Sequence, residues 1–328
     1  LTVFFLTKGL RLMSIALSNF AGTVIISIIT WIRVKRTLGY IKIQPGLWRF
    51  DRFRFLIKNG IWFSIGGLAG IFILRMDSFL IGQYISLTTV TSYVITLKLY
   101  QIADKFHQQF FNTTRPYFAQ VYGKGDMRLL SKMHNLSFNL SFIAAFIMGV
   151  FVMLVNKWFI GIWVGPDLYL GNTVNMLLCI NFILQAAVLP NRIVLVSTLY
   201  RNEIHSITRV IEGILKIVLS ILLLPVYGLP VLIIAGILSS LLFSNVWLNV
   251  LTSRLLTEKV YSKLILLLFC IPIPLIENFD GIFIKYFSYF ILILVFVITA
   301  LKKVFENKEL IKPVYVQLFN RNNKKTIY

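Results

Sequence analysis

The sequence predicts an all-α, polytopic transmembrane helical bundle, and three observations carry that reading. Of 328 residues, 58% are hydrophobic and 14% charged, with a mean hydropathy of +0.81, an apolar content well beyond that of a soluble domain. The apolar residues come in runs of about twenty, the length a helix needs to pass the hydrocarbon of a bilayer. Basic residues fall in every second connection between those runs, as one fixed membrane topology requires.

The runs place helices near 12–32, 59–84, 91–119, 134–156, 172–199, 204–225, 228–251, 261–276 and 283–301, about nine in all. The opening "LTVFFLT" is half a hydrophobic segment, without initiator Met, basic flank or small-residue cleavage site. It reads as the tail of a helix rather than a signal peptide, so the expectation is the C-terminal part of a larger transporter or a gene product with a truncated start.

Arg33, Lys35, Arg36, Lys42, Arg49, Arg52, Arg54 and Lys58 crowd the first connection, whereas the next, Ser86 to Thr89, carries no charge. Lys124, Arg128 and Lys132 mark a basic connection, Lys157 with Asp167 a sparse one, Arg201 a basic one and "PVYGLP" at 225–230 a neutral one. Arg254, Lys259 and Lys263 follow, then the acidic Glu277 and Asp280, then a tail with Lys302, Lys303, Lys324 and Lys325. Basic connections and the C-terminus are expected in the cytoplasm, and the net charge of +21 reads as this alternation rather than as a nucleic-acid surface. Cys179 and Cys270 lie in predicted spans with no CxxC or His partner, so neither a disulfide nor a metal site is indicated.

Charge inside the predicted spans is the feature that bears on function. In "KLYQIADKFHQQFFNTTRP", residues 98–116, Lys98, Gln101, Lys105, Gln108, Asn112 and Arg115 recur at steps of 3, 4, 3, 4 and 3, one helical face. The opposite face reads Leu99, Ile102, Phe106 and Phe110. The stripe rises about 26 Å at 1.5 Å per residue, and a charge at mid-bilayer costs roughly 2.5–3.5 kcal/mol. Lys98 and Arg115 snorkelling at opposite ends, with only Lys105 and Asp104 deep, is one account; a cavity lining is the expected one. A second stripe places His205, Arg209, Glu212 and Lys216 on one face. Glu212 and Lys216 have the favourable i, i+4 order and Arg209 lies three residues earlier, so this stripe reads either as an internally neutralised network or as cavity wall. Arg75, Lys98, Lys105, Arg115, Arg209 and Lys216 outnumber Asp77, Asp104 and Glu212, so a cavity lined by them is net positive and suits an anionic amphiphile.

Weaker signals complete the chain. "GIWFSIGGLAG" spaces Gly60, Ser64, Gly66 and Gly70 for close helix approach, and Pro190 is expected to kink its helix. His107, His134 and His205 show no metal-ligand spacing and read as solvated or hydrogen-bonded. The Asn-x-Ser/Thr matches at Asn112, Asn135 and Asn139 fall in or beside spans, and no nucleotide-binding, serine-hydrolase or zinc-protease motif is present, so no catalytic residue and no cofactor are expected.

"ILRMDSFLIGQYISLTTVTSYVITLKL" at 72–99 and "RPYFAQVYGKGDMRLL" at 115–130 resemble the seventh and eighth helices of polysaccharide-lipid flippases. These form the O-antigen (Wzx-type) branch of the multidrug/oligosaccharidyl-lipid/polysaccharide exporter superfamily. The matching positions are Asp77, Ile81, Gly82, Tyr93, Pro116, Gly125 and Asp126. The resemblance implies two six-helix lobes rocking about a central cavity. Residues 1–58 would end the first lobe, 59–251 form the second, 252–304 add two helices and 305–328 form a basic cytoplasmic tail. It implies a bacterial inner-membrane flippase, not an enzyme, for undecaprenyl-diphosphate-linked O-antigen or capsule repeat units, with membrane lipids and polysaccharide polymerase machinery as partners. Lys98, Lys105, Arg115, Arg209 and Lys216 would attract diphosphate or acidic sugars, and Gln101, Gln108 and Asn112 would hydrogen-bond sugar hydroxyls. Asp77, Asp104 and Glu212 are candidates for ion coupling. A multidrug antiporter and a peptidoglycan-precursor flippase are the neighbouring readings, and a membrane polysaccharide polymerase is a third, disfavoured by the short outward connection at 157–171.

Charge alternation predicts that reporters fused after Lys124, after Arg254 and in the C-terminal tail share one compartment, while reporters near Thr88, Gly165 and Gly228 share the other. Thr88 and Lys124 reporting from the same side would break the topology.

Overall fold

A computed structural model describes residues 4, 7, 13–37, 49–258, 268–277, 288–289, 291–292, 294–295 and 298. Every regular element among them is helical. Six helical segments among the described residues are long and apolar enough to cross a membrane: Ala16–Thr37, Gly60–Tyr84, Met127–Trp163, Asn172–Thr198, Asn202–Tyr227 and Leu229–Leu255. The chain is a multi-pass, all-α membrane protein. The expected helices at 261–276 and 283–301 lie largely outside the described residues, and the tail from 305 lies wholly outside them.

The chain divides into two compact units, residues 1–56 and residues 57 onward. The first holds α1 (Met13–Thr37), which ends on Lys35 and Arg36. Phe20, Ile26 and Trp31 of α1 are each at least 60% exposed, the arrangement of a helix whose solvent is hydrocarbon. α2 (Phe50–Tyr84) begins in the first unit and continues into the second.

The second unit is a succession of helices joined by short links. Ser86 opens α3 (Leu87–Asn112) by accepting from the Thr89 amide at 3.1 Å, satisfying one donor of the first turn. α4 (Arg115–Gly123) follows, and Asp126 then caps α5 (Met127–Trp163) through the Leu129 amide at 2.9 Å. Next come α6 (Asn172–Ala187), the short α7 (Leu189–Ile193) and a π turn at Val194–Thr198. α8 (Asn202–Tyr227) leads to α9 (Leu229–Ser240), a second π turn at Leu241–Trp247 and α10 (Leu248–Leu255).

Three expectations change. The helix read over 91–119 is two helices, because the Thr113 and Thr114 hydroxyls bond back to the Phe110 and Phe111 carbonyls at 2.6 and 2.7 Å. Pro116 then suits only the first turn of the next helix. The helix read over 134–156 extends to both sides, covering 37 residues. Pro190 gives an interruption rather than a bend: α6 stops at Ala187 and Pro190 sits in the first turn of α7.

The packing face of α3 also differs from the expected Leu99, Ile102, Phe106 and Phe110. The helix buries Tyr93, Thr96, Tyr100, Ala103, His107 and Phe111, whereas Phe106 is 70% and Phe110 68% exposed. Most polar groups of that face are matched within the bundle, although His107 Nδ1 is buried without a hydrogen-bond partner. Tyr100 Oη donates to Asn175 Oδ1 at 2.9 Å, Asn156 Nδ2 donates to the Thr96 carbonyl at 2.9 Å, and His107 Nε2 lies 3.1 Å from the Ser141 carbonyl. Interhelical hydrogen bonds of this kind hold membrane bundles together where apolar burial gives little preference for one neighbour over lipid. Phe138, Phe142, Phe146 and Ile183 fill the core beside them.

Of the small residues expected to admit a neighbour, Gly66 does so, since a Cβ there would lie 2.8 Å from Ser206 Oγ, while Gly60 faces open space. The neighbour is α8, and Ser206 Oγ donates to the Trp62 carbonyl of α2 at 2.5 Å.

Candidate functional site

α3 carries its polar stripe outward. Lys98, Gln101, Lys105 and Gln108 are exposed and Asn112 is half-buried. Gln108 Nε2 donates to Asp104 Oδ2 at 2.7 Å, holding the carboxylate along the same helix. The stripe does not reach Arg115 on one continuous helix, because the chain turns at Thr113–Thr114, but Arg115 Nε donates to Asn112 Oδ1 at 3.0 Å and stays joined to it. Lys98, Gln101, Lys105 and Gln108 therefore form a water-compatible wall, with Asn112 and Arg115 at its end.

α8 turns its charges inward. Glu212 is 1% exposed and accepts from three donor groups on three elements. Arg209 Nη1 approaches both carboxylate oxygens at 3.2 Å, Gln185 Nε2 donates at 2.7 Å and Ser244 Oγ at 2.5 Å. Behind them Arg192 Nη2 donates to Gln185 Oε1 at 2.8 Å. Arg192, Gln185 and Ser244 were not among the residues expected at the site. Arg192 was legible in principle: it is an ionisable residue in a membrane-length run, and Gln185 lies seven residues before it on the same helical face. Ser244 has no such signal, since a lone serine in an apolar segment is ordinary.

Lys216 does not pair with Glu212. Its Nζ lies 2.6 Å from Asp77 Oδ1 and donates to the Ile73 carbonyl at 3.0 Å, both on α2, and Tyr93 Oη of α3 donates to Asp77 Oδ2 at 2.9 Å. The i, i+4 preference is a few tenths of a kcal/mol on an exposed helix, whereas a buried Asp77 without a cation would be far more costly. The interhelical pair therefore wins. Gly236 lets the lysine stem pass, as a Cβ there would meet Lys216 Cε at 3.4 Å.

Arg209 Nη1 also donates to Gln185 Oε1 at 3.2 Å, so Arg192 and Arg209 meet on that amide. Arg75, by contrast, is exposed on α2. No family model, curated protein or solved structure matches the chain. The chemistry of the site rests on its own geometry.

That geometry separates two kinds of charge. Asp77 and Glu212 are already neutralised by Lys216 and Arg209, whereas Lys98, Lys105 and Arg115 lie on the exposed surface. Among the other histidines, His134 is fully buried with Nδ1 3.0 Å from Glu258 Oε1 and Nε2 2.9 Å from Asn191 Oδ1, a hydrogen-bonded histidine as expected.

Removing one member of a buried ion pair strands the other and typically costs about 3–5 kcal/mol. Lys216→Met should therefore destabilise the detergent-solubilised protein by that order, and Asp77→Asn combined with Lys216→Met should recover much of the loss. Denaturant and thermal unfolding of the four members of this cycle measure the coupling, and strictly additive effects would exclude the pair as a structural clasp.

Proposed function

We propose that this chain is a transporter, not an enzyme, and that it moves an undecaprenyl-diphosphate-linked oligosaccharide across the bacterial inner membrane with its C-terminus in the cytoplasm. The observation that carries the reading is the outward face of α3, where Lys98, Gln101, Lys105 and Gln108 are exposed in a protein otherwise built of membrane-spanning helices. Cations and amides alternate along it. Lys98, Lys105 and Arg115 would meet diphosphate or acidic sugars through charge-assisted hydrogen bonds, and Gln101, Gln108 and Asn112 would take sugar hydroxyls, while the polyprenyl chain stays in lipid. Arg209 and the newly found Arg192 extend the positive field from behind. Lys216 is assigned to holding α2 rather than to the substrate, because Asp77 occupies it.

Of the three carboxylates considered for ion coupling, Asp77 and Glu212 are held by cations and Asp104 by the amide of Gln108. Asp104 is thus the carboxylate best placed to exchange a proton or cation with the water-facing wall. A multidrug antiporter is disfavoured because the exposed Lys98 and Lys105 stand on the same helix as Asp104 and would repel a cationic drug. On the resemblance, 59–251 would be one lobe of a two-lobed exporter working by alternating access.

Vesicles containing the purified protein test the reading when lipid-linked glycan flipping and cationic-dye uptake are measured together. Flipping without dye uptake is expected. Lys105→Ala or Arg115→Ala should each lower flipping about tenfold, the equivalent of one charge-assisted hydrogen bond, with protein abundance unchanged. Phe106→Ala should leave stability nearly unaltered because that ring is exposed. Dye uptake without glycan flipping would overturn the proposal.

A further inference from the structure

The connections that sequence charge marks as basic meet at a cavity that the transport wall does not use. The cavity is about 510 Å³, walled by Tyr122 of α4, Met127 of α5, Leu199, Tyr200 and Arg201 before α8, and Leu255 of α10. Three separate connections thus converge at one end of the second unit, the end that charge alternation assigns to one compartment.

The local geometry displays polar groups toward this space. Tyr200 has φ 53°, the left-handed region that few non-glycine residues adopt, and the Arg201 amide donates to the Leu195 carbonyl at 2.8 Å. The turn leaves Tyr200 63% exposed. Arg201 pairs with Glu203, also on the cavity wall, at 3.5 Å, with the two side chains 56% and 36% exposed. So open a pair contributes little, and the guanidinium can exchange its carboxylate for a stronger anion. Lys124, Arg128 and Arg254 are exposed and lie within two residues of wall residues. Against these four cations stand Glu203 and Asp126, and Asp126 is engaged as the α5 cap. The wall itself carries Arg201 and Glu203, and the connections beside it add three cations against one engaged carboxylate.

We infer that this cavity is a headgroup site for an anionic phospholipid. The phosphodiester would sit at Arg201 with Lys124, Arg128 and Arg254 around it, the glycerol between Tyr122 and Tyr200, and the first methylenes on Met127, Leu199 and Leu255. The volume lies within the range of ordinary ligand pockets, and tyrosines with basic residues at span ends are the chemistry of the lipid headgroup layer. An acidic protein segment would satisfy the cations but leave the apolar part of the wall unused. The inference is independent of what the α3 wall transports.

Native mass spectrometry of the full chain, released from detergent with phosphatidylglycerol or with phosphatidylcholine of the same acyl chains, tests it. Phosphatidylglycerol should be retained at least about fivefold more, the preference expected from one cation near a headgroup. Arg201→Gln should reduce that preference about fivefold while leaving phosphatidylcholine retention unchanged. Arg128→Gln, a substitution at an exposed rim residue, should reduce it in the same direction and serves if the first variant does not fold. Equal retention of the two lipids, or a preference unchanged in both variants, would overturn the site. Displacement of phosphatidylglycerol by glycerol 3-phosphate at equal concentration would show a free-phosphate site, and displacement by an acidic peptide a protein-docking site; either overturns the lipid assignment.

Discussion

Charge neutralisation along α8 is the constraint on which the second unit depends. Arg209 and Glu212 pair within the helix, and Lys216 reaches across to Asp77 of α2. An isolated charge in this setting would cost several kcal/mol, so each group dictates where its partner's helix must lie. Asp77 in turn receives Tyr93 from α3, and Glu212 receives Gln185 from α6 and Ser244 from the π turn after α9. One helix thereby fixes three neighbours directly, and α3 through Asp77, by hydrogen-bond geometry, a specification that apolar contacts alone give poorly where the competing solvent is lipid.

The π turns belong to the same pattern. Widened turns often occur where a helix must present a side chain off its regular register, and here they lie in the membrane-length segments Asn172–Thr198 and Leu229–Leu255, which supply Gln185 and Ser244 to Glu212. Ser244 lies inside one of them. Beyond it Asn249 Oδ1 accepts from Asn191 at 2.6 Å, and Asn191 Oδ1 faces His134, whose other nitrogen meets Glu258. A ladder of polar contacts therefore follows the π-helical segments from Glu212 toward Glu258. The helices it joins stay in register through directed bonds rather than through shape alone.

Much of this was legible in the sequence and some of it was not, for reasons that particular residues make clear. Apolar runs locate the membrane-length helices because hydrocarbon thickness sets their length. The break at Thr113–Thr114 was hidden because the polar periodicity runs through it to Arg115. Phe106 and Phe110 were assigned to packing by the rule for water-soluble helices, but a membrane helix can expose phenylalanine without penalty. Lys216 was assigned to its own helix because i, i+4 neighbours are visible in one sequence while an interhelical aspartate is not. Arg192 needed only the rule that an ionisable residue in an apolar run has a partner.

With Asp77 and Glu212 satisfied inside the bundle, the cations on α3 are left facing outward, and the account rests on that wall meeting water. Single-cysteine scanning along residues 96–111, with a membrane-impermeant thiol reagent on protein in lipid vesicles, measures it most directly. The account predicts labelling at positions 98, 101, 105 and 108 and protection at 96, 100, 103, 107 and 111, a helical period with the buried face silent. Uniform protection of all these positions would contradict it, leaving the stripe as a dry structural element with no path for a polar substrate.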